Sequence, residues 1–287
     1  MFLVFCDIGE SAFCLTTMTE TISSVQARDL LKRLPAFSPI AIKLMVLVVD
    51  DNVSFKEVAK LFSLDPVLSG QVLRLANSGM YGREFHIQSV LHALAMLGLR
   101  NISRIAITAA LSQGVPRQTS PWMRVWWRHS IATALLADHA GMKELDLDFG
   151  YTAGLLHAIG QLALFQTAPR EYAEILDAAY SSGADIEDLM ECEREHFGAD
   201  HAELSGLILS EWGLPGDLQR AVSEYHVRGV SEPLTKTVHA GCAYAESLGF
   251  GQCGCLQTIE DASGKPMDRH LLDVLATEVN LIECSLA

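Results

Sequence analysis

Positive charge is what this chain has least of. Its 21 Lys and Arg stand against 35 Asp and Glu, a formal net charge of −14 at pH 7 over 287 residues, and the pI is about 5.1. The basic residues form only short clusters, such as Lys32-Arg33 and Arg124 with Arg128, which read as solvated helix faces. Such a surface repels phosphate backbones, so neither nucleic acid nor an anionic membrane is expected as a partner. β-Alternation of any length is missing, and no continuous apolar run reaches membrane-spanning length. Met1 to Leu15 is mildly apolar but lacks a basic n-region and is interrupted by Asp7 and Glu10, which argues against a secretory signal. Residues 1–18 are expected to be a flexible leader, or an extension ahead of a true start at Met18. No serine sits in a Gly-x-Ser-x-Gly elbow and no glycine-rich phosphate loop follows a strand, so those two chemistries drop out. The cysteines, Cys6, Cys14, Cys192, Cys242, Cys253, Cys255 and Cys284, are odd in number and scattered, which fits a reducing, cytoplasmic setting. Cys253-Gly254-Cys255 lacks the second pair that a zinc ribbon needs.

What is there is helix. The chain is 49% hydrophobic with a mean hydropathy of +0.22, enough for one large domain or two smaller ones. Val25, Leu30, Leu31 and Leu34 make a stripe ended by Pro35, and Ser38-Pro39 begins the next through Ile40, Leu44, Leu47 and Val48. Ser54 with Glu57 is a capping-box signature, and Asp65-Pro66 is a cap followed by a first-turn proline; that helix should stop at Gly79. Ser89 to Leu97 and Asn101 to Leu111 read as two short helices separated by Gly98. Gly114-Val115-Pro116 to Ser120-Pro121 breaks the composition and divides an N-terminal lobe, 19–115, from a second, 116–250. The second lobe predicts helices from Trp122 to about Ala140, Asp148 to Leu164, Pro169 to Tyr180, Asp185 to His196, Asp200 to Trp212, Leu218 to Val227 and Leu234 to Leu248. Trp122, Trp126 and Trp127 are expected in the core or between lobes. The run Glu187, Asp188, Glu191, Glu193 and Glu195 reads as a solvated face. A C-terminal extension, 251–287, is helical again from His270.

The stretch Gly154-Leu155-Leu156-His157-Ala158-Ile159-Gly160 reads as a turn of buried helix with a histidine in an apolar face. Small residues on both sides let another helix approach closely. His129, His201 and His226 lie in helical segments around it. A buried histidine bonded to a carbonyl is the plain explanation of any one of them; four in one lobe suggest a shared pocket. His201 follows the Asp200 cap, where the helix dipole should lower its pKa and favour the neutral imidazole that a metal needs; covering the helix end is the competing role.

Taken in order, Leu34-Pro35, Asp65-Pro66, Ala76-Asn77-Ser78, Leu97-Gly98, Trp127-Arg128-His129-Ser130, the His157 stretch, Glu193 with Phe197-Gly198-Ala199-Asp200-His201, and Glu211-Trp212-Gly213-Leu214-Pro215 resemble an HDOD domain. This is the signalling-associated relative of HD-domain metal phosphohydrolases, and the resemblance spans about residues 25 to 250. It implies an all-α, two-lobed fold, a short-helix bundle packed on an HD-like lobe. In the HD superfamily a His-Asp dyad, further histidines and a distant aspartate hold one or two metals that activate water. Here the dyad is His157-Ala158, a histidine pair appears as Tyr225-His226, and the distant aspartate aligns with Cys242 in Val238-His239-Ala240-Gly241-Cys242. The matching positions are His129, His157, His201 and His226, a set suited to one divalent ion, iron, zinc, nickel or manganese, or else vestigial. Asp138, Asp146 or Asp148 could supply a carboxylate from elsewhere. Three functions stay open. One is a non-catalytic regulatory module for two-component or cyclic di-GMP signalling proteins, the partners that the resemblance implies. The others are a metal-dependent phosphohydrolase of a nucleotide or cyclic dinucleotide and a small-ligand sensor.

Overall fold

The computed structural model describes residues 39–47, 54–77, 86–113, 120–144, 149–251, 277 and 279–280, and every regular element among them is helical. The expected leader, the helix over 25–34, Gly79, the Gly114-Val115-Pro116 break, Asp146, Asp148, Cys253-Gly254-Cys255 and the start of the C-terminal helix at His270 lie outside the described residues.

In the first lobe α1 (Pro39–Leu47), α2 (Phe55–Phe62) and α3 (Pro66–Ala76) pack on α4 (Val90–Gln113). The starts follow from the sequence. Ser54 and Glu57 close a reciprocal capping box, and the Asp65 carboxylate accepts from the Leu68 amide ahead of Pro66. Asn77 ends α3 and binds Ile87 twice, donating to its carbonyl at 2.9 Å and accepting from its amide at 2.8 Å. Gly98 breaks α4 with φ 79° and ψ 165°, so the two expected helices are one element with a kink that only glycine adopts without strain. Val90–Ser112 is long and apolar enough to cross a membrane, but 56% of that window is buried in the core and the kink divides it.

The second lobe is built on α5 (Pro121–Glu144), which lies against α6 (Gly150–Leu156) and α12 (Pro233–Ala245). Trp126 and Trp127 are buried in it, and half-buried Trp122 donates to Asp177 at 2.7 Å. The chain continues through α7 (Ile159–Thr167), α8 (Pro169–Ser182), α9 (Ile186–Phe197), α10 (His201–Glu211) and α11 (Gly216–Glu224), and α12 runs into a π-helical turn, Glu246–Phe250. Close approaches set the packing. A Cβ on Gly154 would lie 2.7 Å from the Ala134 Cα and the Thr133 carbonyl, and one on Gly160 would lie 2.1 Å from the His201 carbonyl. The glycines on either side of His157 thus seat it against α5 and the start of α10. The lobes meet where Arg100 and Arg104 of α4 reach Asp138 of α5, and where the Thr108 and Tyr151 hydroxyls bond at 2.7 Å.

Two expected helices are corrected. Asp148 to Leu164 is not one helix: His157 and Ala158 form a turn between α6 and α7, with Ala158 at φ −109° and ψ 27°. The Ala158 carbonyl accepts from the Gln161 amide at 3.0 Å and also from the indole of Trp126 at 2.7 Å, which pins the turn against α5. The helix begun near Leu218 ends at Glu224, so His226 sits in the turn beyond it.

Candidate functional site

His157 is the centre of the site because the α6–α7 turn projects it between α5 and α11. Its Nδ1–H donates to the Gly154 carbonyl at 2.7 Å, which leaves Nε2 without a proton when the ring is neutral. His129, on α5, donates from Nδ1 to the Phe250 carbonyl at 3.0 Å, so its Nε2 is bare in the same way. The two Nε2 atoms are 3.2 Å apart, and Cys242 Sγ on α12 lies 3.5 Å from that of His129. All three side chains are buried, and their ligand atoms lie within 4.8 Å of one another. Burial holds the His129 pKa down at about 4 and that of His157 well below its ordinary value, each charged form being further disfavoured by the neighbouring histidines.

His201 and His226 form a second pair, their Nε2 atoms 3.3 Å apart. Here a carboxylate takes part. Glu193 Oε2 accepts from the His201 backbone amide at 2.8 Å and from its Nδ1 at 2.6 Å, while Oε1 accepts from the Tyr172 hydroxyl at 2.6 Å. The dipole argument for a lowered His201 pKa is therefore overturned. Burial does pull it down, but the Glu193 carboxylate, with Asp200, outweighs burial and raises it. The Nε2–H of the resulting imidazolium is 3.1 Å from the Tyr225 hydroxyl, and His226 stands beside it with a pKa well below the usual range from burial and the charge on His201. Tyr225 joins the pairs: its ring centroid is 5.0 Å from that of His157 and 3.9 Å from that of His226. Burial raises its phenol pKa, so it stays protonated.

The four expected histidines thus converge, but as two pairs, and the group with metal-ligand spacing among the described residues is His129, His157 and Cys242. Glu193 is not on a solvated face; it has no exposure at all, being on the Leu189–Glu193–Phe197 side of α9 that packs inward. That spacing of four was present in the sequence and could have singled it out. Asp138 does not stand in for the missing carboxylate, since Arg100 and Arg104 hold it at the lobe boundary. Glu246 was not foreseen as part of this region. It lies one turn after Cys242, and burial raises its carboxyl pKa to about 7 against the opposing pull of His201.

The HDOD domain family model matches residues 34–227. A crystal structure of an HDOD domain protein of unknown function from Geobacter sulfurreducens is similar with a TM-score of 0.70 at 22% identity, over 91% of this chain and 96% of that one. A Shewanella amazonensis SB2B structure, named as a candidate phosphohydrolase, gives 0.67 at 23% identity over 93% and 100%. A Marinobacter aquaeolei VT8 structure, named as a candidate signal transduction protein, gives 0.70 at 20% identity over 91% of this chain and 64% of that one. An uncharacterised Treponema pallidum (strain Nichols) protein is 20% identical over 217 residues, 74% of this chain, and the chain spans 40% of its length. With the model match covering more than half of the sequence, in an all-helical fold shared with these structures, the chain belongs to the HDOD domain family.

Proposed function

We propose that the protein is a non-catalytic regulatory module that works by binding signalling proteins. The observation that carries this reading is the burial and mutual pairing of the histidines: His129, His157 and His201 are at most 3% exposed, and the Nε2 atoms pair as His129–His157 and His201–His226. The donor set points the same way. Two divalent ions close together in a buried site need bridging anions. Here Ala158 stands at the dyad position, Cys242 at that of the distant aspartate, and Glu193 is taken up by His201 and Tyr172. One ion fits these residues; a binuclear hydrolytic pair does not. Partners from two-component or cyclic di-GMP signalling follow from the family resemblance.

The test has two arms. Purified protein supplied with Mn²⁺ or Fe²⁺ is expected to turn over no member of a panel of nucleotides, cyclic dinucleotides and phosphomonoesters. Crosslinking and affinity capture should yield a signalling protein whose complex re-forms from purified components. Metal-dependent turnover abolished by His157→Ala would overturn the reading and establish the phosphohydrolase alternative. A thermal shift with one nucleotide and no product would mark a small-ligand sensor.

A further inference from the structure

The two histidine pairs have nearly the same spacing, 3.2 and 3.3 Å between Nε2 atoms, but not the same supply of protons. In the His201–His226 pair the Glu193 carboxylate favours the doubly protonated ring of His201, whose Nε2–H has both the Tyr225 hydroxyl and His226 Nε2 within reach. In the His129–His157 pair both Nδ1 protons are spent on backbone carbonyls, of Phe250 and Gly154, so two lone pairs point at each other in a buried site. A thiol at Cys242 can donate one hydrogen to His129, which still leaves the contact between the rings without a proton. Buried acceptors opposed in this way are costly unless a positive centre lies between them.

The geometry points to a site for a single thiophilic transition-metal ion of the zinc or cobalt class, held by His129 Nε2, His157 Nε2 and Cys242 Sγ. Zinc takes nitrogen at about 2.0–2.1 Å and sulfur at about 2.3 Å, so tetrahedral edges measure about 3.3 Å from nitrogen to nitrogen and about 3.6 Å from nitrogen to sulfur. The two edges at His129 Nε2 are 3.2 Å and 3.5 Å, and the third, from His157 Nε2 to Cys242 Sγ, is within 4.8 Å. The carbonyls of Gly154 and Phe250 fix the tautomers that leave Nε2 available, the outer support that ligating histidines commonly have. A thiolate with two imidazoles selects against magnesium and manganese, which favour oxygen donors. On binding, the Cys242 S–H bond breaks, a metal–sulfur bond forms and the proton leaves to solvent; the ion stays divalent and no electron moves. The ion would tie α5, the α6–α7 turn and α12 together, with the π-helical turn held through the Phe250 carbonyl on His129. The inference builds on the regulatory reading of the same site, giving it an ion that no substrate has to reach.

The experiment is a titration of the chelator-stripped 287-residue chain with Co²⁺ alone. One equivalent should bind, giving the visible bands of cobalt held by these three ligands and one solvent ligand, and a near-ultraviolet thiolate-to-cobalt charge-transfer band. Calorimetry in buffers of different ionisation heat should show about one proton released per ion. Zn²⁺ should displace the cobalt and Mn²⁺ should not. Cys242→Ser should lose the charge-transfer band and bind more than about tenfold more weakly, while Cys253→Ser/Cys255→Ser should keep it. If Cys242→Ser does not fold, the cysteine-pair variant and the manganese competition still decide the matter. The proposal is overturned by absence of the band in the wild type, by its loss with Cys253 and Cys255, or by a thiolate absorbance in metal-free protein that takes up no cobalt, which would mean that a proton fills the gap. None of these readouts involves a partner or a phosphoester, so failure here leaves the regulatory reading standing, and the converse holds.

Discussion

Glu193 decides the protonation of the second histidine pair, and its removal is the sharpest test at the scale of one residue. Glu193→Gln keeps the shape but withdraws the charge that holds His201 as an imidazolium. Breaking a buried pair on one side should cost about 3 kcal/mol in urea unfolding. Because the folded-state pKa of His201 is raised above 6.5, its stabilisation is complete below pH 6.5 and is lost as pH rises through the folded value. The gap between wild type and Glu193→Gln should therefore be widest near pH 6 and narrow towards alkaline pH; a gap independent of pH would remove the imidazolium. Glu246 has a folded pKa of about 7 against an ordinary 4.5, so the folded state binds the extra proton and wild-type stability falls as pH rises from 4.5 to 7. Glu246→Gln should erase that slope and stabilise the protein at pH 8 by on the order of 1–2 kcal/mol after solvent screening. Of these residues the histidines were legible, because the ordered motifs quote them. The sign of the His201 shift was not, because it depends on a carboxylate eight residues back that Gly198, at φ 78°, turns towards it.

Helix ends were the most legible part of the fold. The boxes at Ser54–Glu57 and Asp200–Glu203 and the Asp65-Pro66 start use local hydrogen bonds that a short window of sequence contains in full. The break at His157-Ala158 was hidden because neither residue is a glycine or proline, and the Trp126 indole that pins it comes from 32 residues away in the chain. The same turn explains the small residues around it and grades their tolerance. Gly160→Ala would place a methyl 2.1 Å from the His201 carbonyl and should cost more than about 3 kcal/mol. Gly154→Ala, at 2.7 Å from α5 backbone, should cost somewhat less, and Gly241→Ala, at 3.0 Å from the Thr133 carbonyl, least. Gly70→Ala in α3 meets nothing within 4 Å and should stabilise by about 0.5–1 kcal/mol through helix propensity. Urea unfolding of the four variants checks the order; a mild Gly160→Ala would mean that α10 can retreat from the turn.

Across the whole molecule, the two lobes were foreseen as bundles, whereas what joins them was not, because it pairs residues that no local pattern relates. Asp138 is buried and held by Arg100 at 3.4 Å and by Arg104, while the Arg104 guanidinium lies 5.4 Å from the Tyr151 ring centroid and Tyr151 bonds to Thr108. This one patch links α4 to α5 and α6, and α5 also carries His129, so a rotation between the lobes would be felt at the histidine site. Asp138→Ala leaves two arginines facing an apolar gap and should lower stability by about 2–4 kcal/mol. Tyr151→Phe loses only the hydroxyl contact, about 1 kcal/mol. Since Arg104 touches both partners, the double variant should fall short of the sum by more than about 0.5 kcal/mol. Hydrogen exchange should locate the effect: in Asp138→Ala, amides in the second half of α4 and in α6 should lose protection, with α8 and α9 unchanged. Strict additivity, or protection lost evenly over both lobes, would mean that the patch does not act as a joint and that the lobes are held by their apolar contacts alone.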